Sequence, residues 1–317
     1  MKIENGMIDK ELRVTGRMIK IINNTFTENR LRLMGKLKVK MRVKDDTIQF
    51  VEQWIPREDG SKMRICIFKP LEPKANVPGI LWLHGGGYAL GTPERALGMA
   101  KRFIEVSNCI VVAPDYRLSV EASYPAALED SYATLLWMKS HANELGIRGN
   151  QLMVGGDSAG GGLTAALTLY SRDKGEIAIA FQMPLYPMLD DRMTSESSKD
   201  NDAPVWNSKS NFNAWKLYLG ELFGMSNVPC YAAPARAEDY SNLPPTATFV
   251  GSLEPFRDET IQYVENLKKA GVPVDFEIYE GCYHAFEQMC PKAEVSKKAI
   301  SFIMSSFEYA VNHYFTE

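Results

Sequence analysis

Short apolar runs alternate with longer stretches of helical spacing along most of this chain, and that alternation predicts its elements. Residues 80–83 (Ile80-Leu81-Trp82-Leu83) and 109–113 (Cys109-Ile110-Val111-Val112-Ala113) carry no polar position, as strands buried on both faces do. Residues 152–154, 177–183, 246–250 and 274–279 read as further strands. Residues 126–141, 162–170, 256–270 and 294–314 have helical character, and Gly271 ends the third of these. Residues 48–55 and 63–68 flank the turn cluster Pro56-Arg57-Glu58-Asp59-Gly60-Ser61 and predict an antiparallel pair. Strands joined by helical crossovers make a mostly parallel sheet, so the fold class is α/β: a leading hairpin, then repeated strand and helix units.

Two stretches depart from this rhythm. Residues 12–26 have helical spacing (Leu12, Met18, Ile19, Ile22, Phe26). They lead into residues 30–44, where Arg30, Arg32, Lys36, Lys38, Lys40, Arg42 and Lys44 occur without an acid and Leu37, Val39, Met41 and Val43 alternate with them. The plain reading is a solvated face on an element packed against the body; the functional readings are an anionic surface, substrate or partner. Residues 190–211 are polar and loop-like and precede a helix-like run beginning at Phe212. An insertion of that length between strands is usually a lid or a binding element.

Composition narrows the class. With 317 residues, 45% apolar and 24% charged, the chain suits one large soluble α/β domain or two smaller ones. A net charge of -3 gives no global attraction to nucleic acid or anionic lipid. No apolar run is long enough to span a membrane, and the first residues lack the apolar core of a signal peptide. The five cysteines (Cys66, Cys109, Cys230, Cys282, Cys290) are odd in number and widely spaced, which predicts buried thiols in a cytoplasmic protein. No cluster of ligand residues calls for a metal or a cofactor.

The chemistry starts at Gly156-Asp157-Ser158-Ala159-Gly160, a G-x-S-x-G elbow lying between a predicted strand and a predicted helix. Small neighbours let the backbone turn sharply and expose the serine. The pattern alone is weak, since chance places it in roughly one chain in ten of this length. A serine hydrolase also needs a base, an acid to orient the base, and donors for an oxyanion. In this type of fold the acid and then the histidine follow the elbow. Of the four histidines, His84 and His141 precede Ser158, and His313 lies in the closing helix. His284, in the loop after the last strand, is left as the base. The acid belongs on the loop after the preceding strand, where Glu254 comes first. Asp258 is the alternative, in the first turn of a helix where an acid also suits the dipole. His84-Gly85-Gly86-Gly87 follows a strand and lets backbone N–H groups approach a substrate. Gly85, Gly86 and Ala159 are the expected oxyanion donors, with His84 bracing the loop.

Taken in order, His84-Gly85-Gly86-Gly87, Gly156-Asp157-Ser158-Ala159-Gly160-Gly161 and Gly281-x-x-His284-x-Phe286 resemble the hormone-sensitive-lipase family of α/β-hydrolases, in its GDSAG branch. Pro114-Asp115-Tyr116-Arg117-Leu118 and Tyr124-Pro125-Ala126-Ala127 resemble the segment that family carries between the two glycine motifs. Glu254-Pro255-Phe256-Arg257-Asp258 stands where the family has Asp-Pro-Leu-Arg-Asp, which implies Glu254 as the acid. The resemblance covers about residues 48–315 and implies an eight-stranded, mostly parallel sheet flanked by helices. It further implies a hydrolase domain over residues 46–317 and a helical cap from residues 1–45 and an insertion near 190–225. Tyr88, Asp157, Tyr186, Trp206, Phe212 and Trp215 are then candidate substrate-binding residues. The activity implied is a carboxylesterase acting on short- to medium-chain acyl esters, without metal or cofactor, with homodimers common. The alternatives are a deacetylase of a small amide or sugar ester, and a non-catalytic small-molecule receptor. Receptor relatives have lost the catalytic histidine, whereas His284 is present here.

Overall fold

The computed structural model describes residues 1–22, 25–38, 40 and 42–317. Its centre is one sheet of eight strands: β1 (Ile48–Pro56), β2 (Lys62–Pro70), β3 (Val77–Leu83), β4 (Ile110–Pro114), β5 (Ile147–Asp157), β6 (Phe181–Leu185), β7 (Thr246–Gly251) and β8 (Val274–Tyr279). The spatial order is β1-β2-β4-β3-β5-β6-β7-β8. Strand β2 pairs antiparallel with both β1 and β4, and all other pairings are parallel. This is the α/β-hydrolase sheet that the motif order led us to expect.

The two-residue period of a strand explains how one sheet supports two cores. On β2, β3 and β4, Ile65, Ile67, Leu81, Leu83 and Val112 enter one apolar cluster. Their neighbours Cys66, Phe68, Ile80, Trp82, Val111 and Ala113 enter the other. The first cluster is closed by α4 (Ala126–Ser140) and α6 (Ala159–Lys174). The second is closed by α3 (Leu97–Ser107) and α10 (Glu294–His313). Helix α8 (Arg257–Lys269) packs Tyr263 and Leu267 against Ala165 and Leu169 of α6 in a third, smaller cluster. Buried on both sides, β3, β4, β6 and β7 show no exposed position. The edge strand β8 has both exposed and half-buried positions and none fully buried.

Several boundaries moved: β5 begins at Ile147 rather than at Leu152, β3 at Val77 rather than at Ile80, and α6 spans Ala159–Lys174 rather than 162–170. The strand expected over 177–183 begins only at Phe181. The helix expected from Phe212 is α7 (Ser208–Leu219), which starts four residues earlier. Its polar first turn hid the start, and the Asn207 side chain caps it by accepting from Ser210 N–H.

The amino-terminal segment forms α1 (Arg13–Ile21) and α2 (Glu28–Leu37). The first half of the basic stretch is therefore helix, within α2. Leu37 is exposed at the end of α2, and Val39 and Met41 lie outside the described residues. Several of its cations pair with acids of the body: Lys38 with Asp115 at 2.9 Å and Lys40 with Glu52 at 2.6 Å. That favours the solvated-face reading. The segment is anchored by Ile3, Ile8 and Leu12, which are buried with Tyr283, and by Leu31. It is also laced to residues 199–216: Ile3 N–H to Asp202, Lys20 to Asp202 at 3.2 Å, Phe26 N–H to Ser210 Oγ at 2.9 Å, and Lys216 to Glu28 at 2.9 Å.

Candidate active site

Leu83 at the end of β3 is in register with Gly156 of β5, and the loops after β7 and β8 bring Glu254 and His284 to the turn that follows β5. Chain leaving β5 turns at Ser158 straight into α6, with Ser158 at φ 59°, ψ -119°. A non-glycine residue at positive φ in this region costs about 1–3 kcal/mol, and the surroundings must hold it there. Two glycines allow that packing. A Cβ on Gly156 would meet Leu83 O and Gly160 O at 2.5 Å, and one on Gly160 would overlap Leu83 O. The elbow therefore sits directly against the end of β3.

From this turn a line of hydrogen bonds runs through three side chains. Ser158 Oγ is 2.8 Å from His284 Nε2, and His284 Nδ1 is 2.5 Å from Glu254 Oε2. Glu254 Oε1 accepts from Gly251 N–H at 2.7 Å, which fixes the carboxylate on the loop after β7. With Nδ1–H donating to Glu254, Nε2 is free to accept the serine proton. Ser158 is 6% exposed, His284 4%, and Glu254 fully buried. Asp258, the other acid of that loop, faces away: it pairs with Arg257 at 2.7 Å and accepts from Ser197 N–H at 2.8 Å.

The glycine loop lies alongside. Tyr116 stacks on the His84 ring at 4.3 Å and its hydroxyl donates to His84 O at 2.7 Å. Burial holds the His84 imidazole neutral, pulling its pKa down to about 4. A Cβ on Gly85 would meet Asp157 Oδ2 at 2.6 Å, so the glycine loop lies directly against the elbow. Gly86 and Gly87 follow at φ 127° and 60° in the turn closed by Leu90 N–H to Gly86 O.

The expected substrate-binding side chains divide. Trp206 lies above the site: its ring is 6.4 Å from His284, and a Cβ on Gly87 would meet it at 2.5 Å. Tyr186 meets His284 edge-on at 5.0 Å, and Asp157 is half-buried beside Ser158. Tyr88 and Trp215 do not join them. Both are fully buried, Tyr88 stacked on Tyr218 at 3.7 Å with Trp215 beside it. Phe212 is turned outward, 50% exposed, and packs on Phe223. An aromatic residue on an amphipathic helix gives no sequence sign of which face it takes, and α7 presents Trp215 inward and Phe212 outward.

Other neighbours of the site were not anticipated. Phe256 meets His284 edge-on at 5.1 Å, and Phe26 packs on Trp206 at 5.6 Å from 180 residues away in the chain. The Phe26 contact leaves no local signature. Glu287, three residues after His284 and followed by Gln288, carries no sequence sign of its burial. Cys282 is buried and its thiol is pushed up by desolvation, which suits an inert packing residue. Glu52, Cys66 and Glu94 bring ligand-type atoms within 4.8 Å of one another. Arg64 Nη1 already stands among them, 2.8 Å from Glu52 and 2.6 Å from Glu94, so a guanidinium supplies the positive charge.

Sheet order, elbow and the sequence of the three side chains along the chain define an α/β hydrolase. Residues 80–288 match the alpha/beta hydrolase fold family, and the chain belongs to that family. Esterase LipI of Mycobacterium tuberculosis is 36% identical over 216 residues, 67% of each chain. Carboxylesterase NlhH of the same organism is 32% identical over 251 residues, 77% of this chain and 75% of its own. The solved structure of a bacterial heroin esterase superposes with a TM-score of 0.86 at 33% identity, covering 96% of this chain and 98% of its own. No helix among the described residues is long and apolar enough to cross a membrane.

Proposed function

We propose that the protein is a serine carboxylesterase that hydrolyses short- to medium-chain acyl esters through an acyl-enzyme. The observation that carries this reading is the unbroken line Ser158, His284, Glu254 on a strand-to-helix turn. Ser158 Oγ attacks the ester carbonyl carbon while His284 Nε2 takes its proton. Glu254 holds the tautomer and stabilises the imidazolium. The oxyanion accepts from Ala159 N–H and from the glycine loop, at Gly85 and Gly86. Each such donor is worth about 3 kcal/mol of barrier. The tetrahedral species collapses as His284 returns the proton to the leaving alkoxide, and the alcohol departs. Water, deprotonated by His284, then attacks the acyl carbon and releases the acid, restoring Ser158. The esterases among the relatives support the same reaction class. Retention of His284 argues against the receptor alternative.

In the same reading, residues 1–45 and 190–225 form a cap over the serine, with Trp206 and Phe26 as its inner surface. The contacts that lace the two segments support this, as does the burial of Ser158. The test is turnover of p-nitrophenyl acetate and butyrate by the wild type and Ser158→Ala. The wild type is expected to turn over both, with a loss of about 10⁴-fold or more in the variant. A wild type inactive on every short ester would refute the reading.

A further inference from the structure

A second hydrogen-bonded chain runs behind the first and takes no part in it. The Tyr186 hydroxyl donates to Glu287 Oε1 at 2.5 Å and accepts from Gln288 Nε2 at 2.8 Å. Gln288 Nε2 also lies 3.4 Å from Asp157 Oδ2. The chain thus links the residue before the nucleophile to the residue one helical turn after the base, and the Tyr186 ring rests edge-on against His284. Glu287 is buried, and its Oε2 has no hydrogen-bond partner. Among the described residues neither Glu287 nor Asp157 belongs to an ion pair.

These groups border a cavity of about 210 Å³, walled by Trp82, Phe249 and Ile300. The charged and titratable groups facing Glu287 come from several elements. They are Asp157 at the end of β5, Tyr186 after β6 and His284 in the loop after β8, with Arg95 and Arg102 lining the same cavity. Burial pushes the Glu287 carboxyl up to about 7, against the pull of the Tyr186 hydrogen bond. Burial also raises Asp157, against the pull of Arg95.

We propose that Glu287 is a positioning residue for His284: through Tyr186 it steadies the imidazole ring, and when ionised it adds a second negative charge behind the imidazolium formed as Ser158 attacks. A buried carboxylate outside any ion pair exerts its field on a charge forming nearby, and His284 is the group beside it whose charge changes during the reaction, while Arg95 and Arg102 stay charged throughout. The direction follows. Protonated Glu287 is matched by its neutral isostere glutamine, and ionised Glu287 is not.

The kinetic arm rests on the esterase reading. It compares kcat/KM for p-nitrophenyl acetate between the wild type and Glu287→Gln across pH. The ratio is expected to stay within about two-fold at about pH 5.5 and to grow to about three- to ten-fold above about pH 8. Tyr186→Phe removes the hydrogen bond to the charged form of Glu287 and should move the rise to higher pH. A ratio that does not vary with pH, whatever its size, would assign Glu287 to packing alone and overturn the proposal. The second arm needs no turnover. The His284 ring resonances, followed by NMR over the same range, should show, in addition to the step from the ring's own protonation, a second inflection at about pH 7 that is missing in Glu287→Gln. Absence of that inflection in the wild type also overturns the proposal. If the esterase reading fails, the wild type shows no turnover while the NMR arm still decides.

Discussion

The floor of the site and its proposed cap are held together by different means. On the floor, Ser158, His284 and Glu254 sit on loops fixed by strand register, glycine-limited backbone contacts and hydrogen bonds closed to solvent. Above it, residues 1–45 and 199–216 meet through half-exposed contacts such as Lys20 to Asp202 and Lys216 to Glu28, pinned by a few buried side chains including Ile3, Ile8 and Leu12. Buried, fully partnered groups cannot be displaced singly without leaving a costly orphan, whereas exposed ion pairs contribute at most about 1 kcal/mol each. By that contrast the floor should keep its geometry, and the proposed cap should yield first.

The sharpest way to break this contrast lies within one loop. Glu254→Gln should lower kcat by about 10³- to 10⁴-fold, because the imidazole loses the anion that fixes its tautomer. Asp258→Asn should stay within about five-fold, since its partners Arg257 and Ser197 serve the rim. Steady-state kinetics on one ester compares them, and a dead Asp258→Asn beside an active Glu254→Gln would reverse the assignment.

Glu287 offers a stability test of the floor. Its carboxyl stands near 7 in the folded chain against an ordinary value of 4.5. The folded state therefore holds the proton more tightly, and this group's contribution is complete below the unfolded value and declines as pH rises to the folded one. The decline is about 3 kcal/mol in all. Glu287→Gln lacks it, so urea midpoints should show the variant gaining on the wild type between about pH 5 and pH 8. No change in the difference would mean that the carboxyl titrates normally.

On the cap side, Trp206→Ala removes a ring that covers Gly87 and should shift acyl-length preference by about ten-fold, read from kcat/KM over a chain-length series. The smallest effect is expected from Lys20→Ala. Losing a partly exposed ion pair should change KM by about two-fold and leave kcat and the melting midpoint nearly untouched. A large fall in kcat there would mean that the cap holds the floor in shape.

The two regions were also unequally legible in sequence. Strands buried on both faces write continuous apolar runs, and the chain order of elbow, acid and histidine left His284 and Glu254 as the best-placed partners of Ser158. Cap contacts join residues 180 or more apart through single polar atoms, as between Phe26 and Ser210, and such pairs have no period to read. Phe212 and Trp215 illustrate the gap: three residues apart on α7, alike in type, one faces solvent and the other is fully buried. The rotation of a helix about its axis is set by what it meets, and what α7 meets includes the amino-terminal segment. Glu287 escaped notice for another reason, since nothing in its neighbours in sequence says that Tyr186 will stand opposite.

The near-complete enclosure of Ser158 has a consequence for time as well as space. Under the proposed cap, a nucleophile with 6% of its surface open would react only during intervals when that cap parts. Covalent labelling by a small fluorophosphonate should then level off as reagent concentration rises, at a ceiling set by the opening frequency rather than by the reactivity of the warhead. Solvent viscosity would slow that ceiling, and two reagents of equal size but unequal reactivity would share it. In that regime the protein selects among esters by the clock of its own roof before any bond is tested.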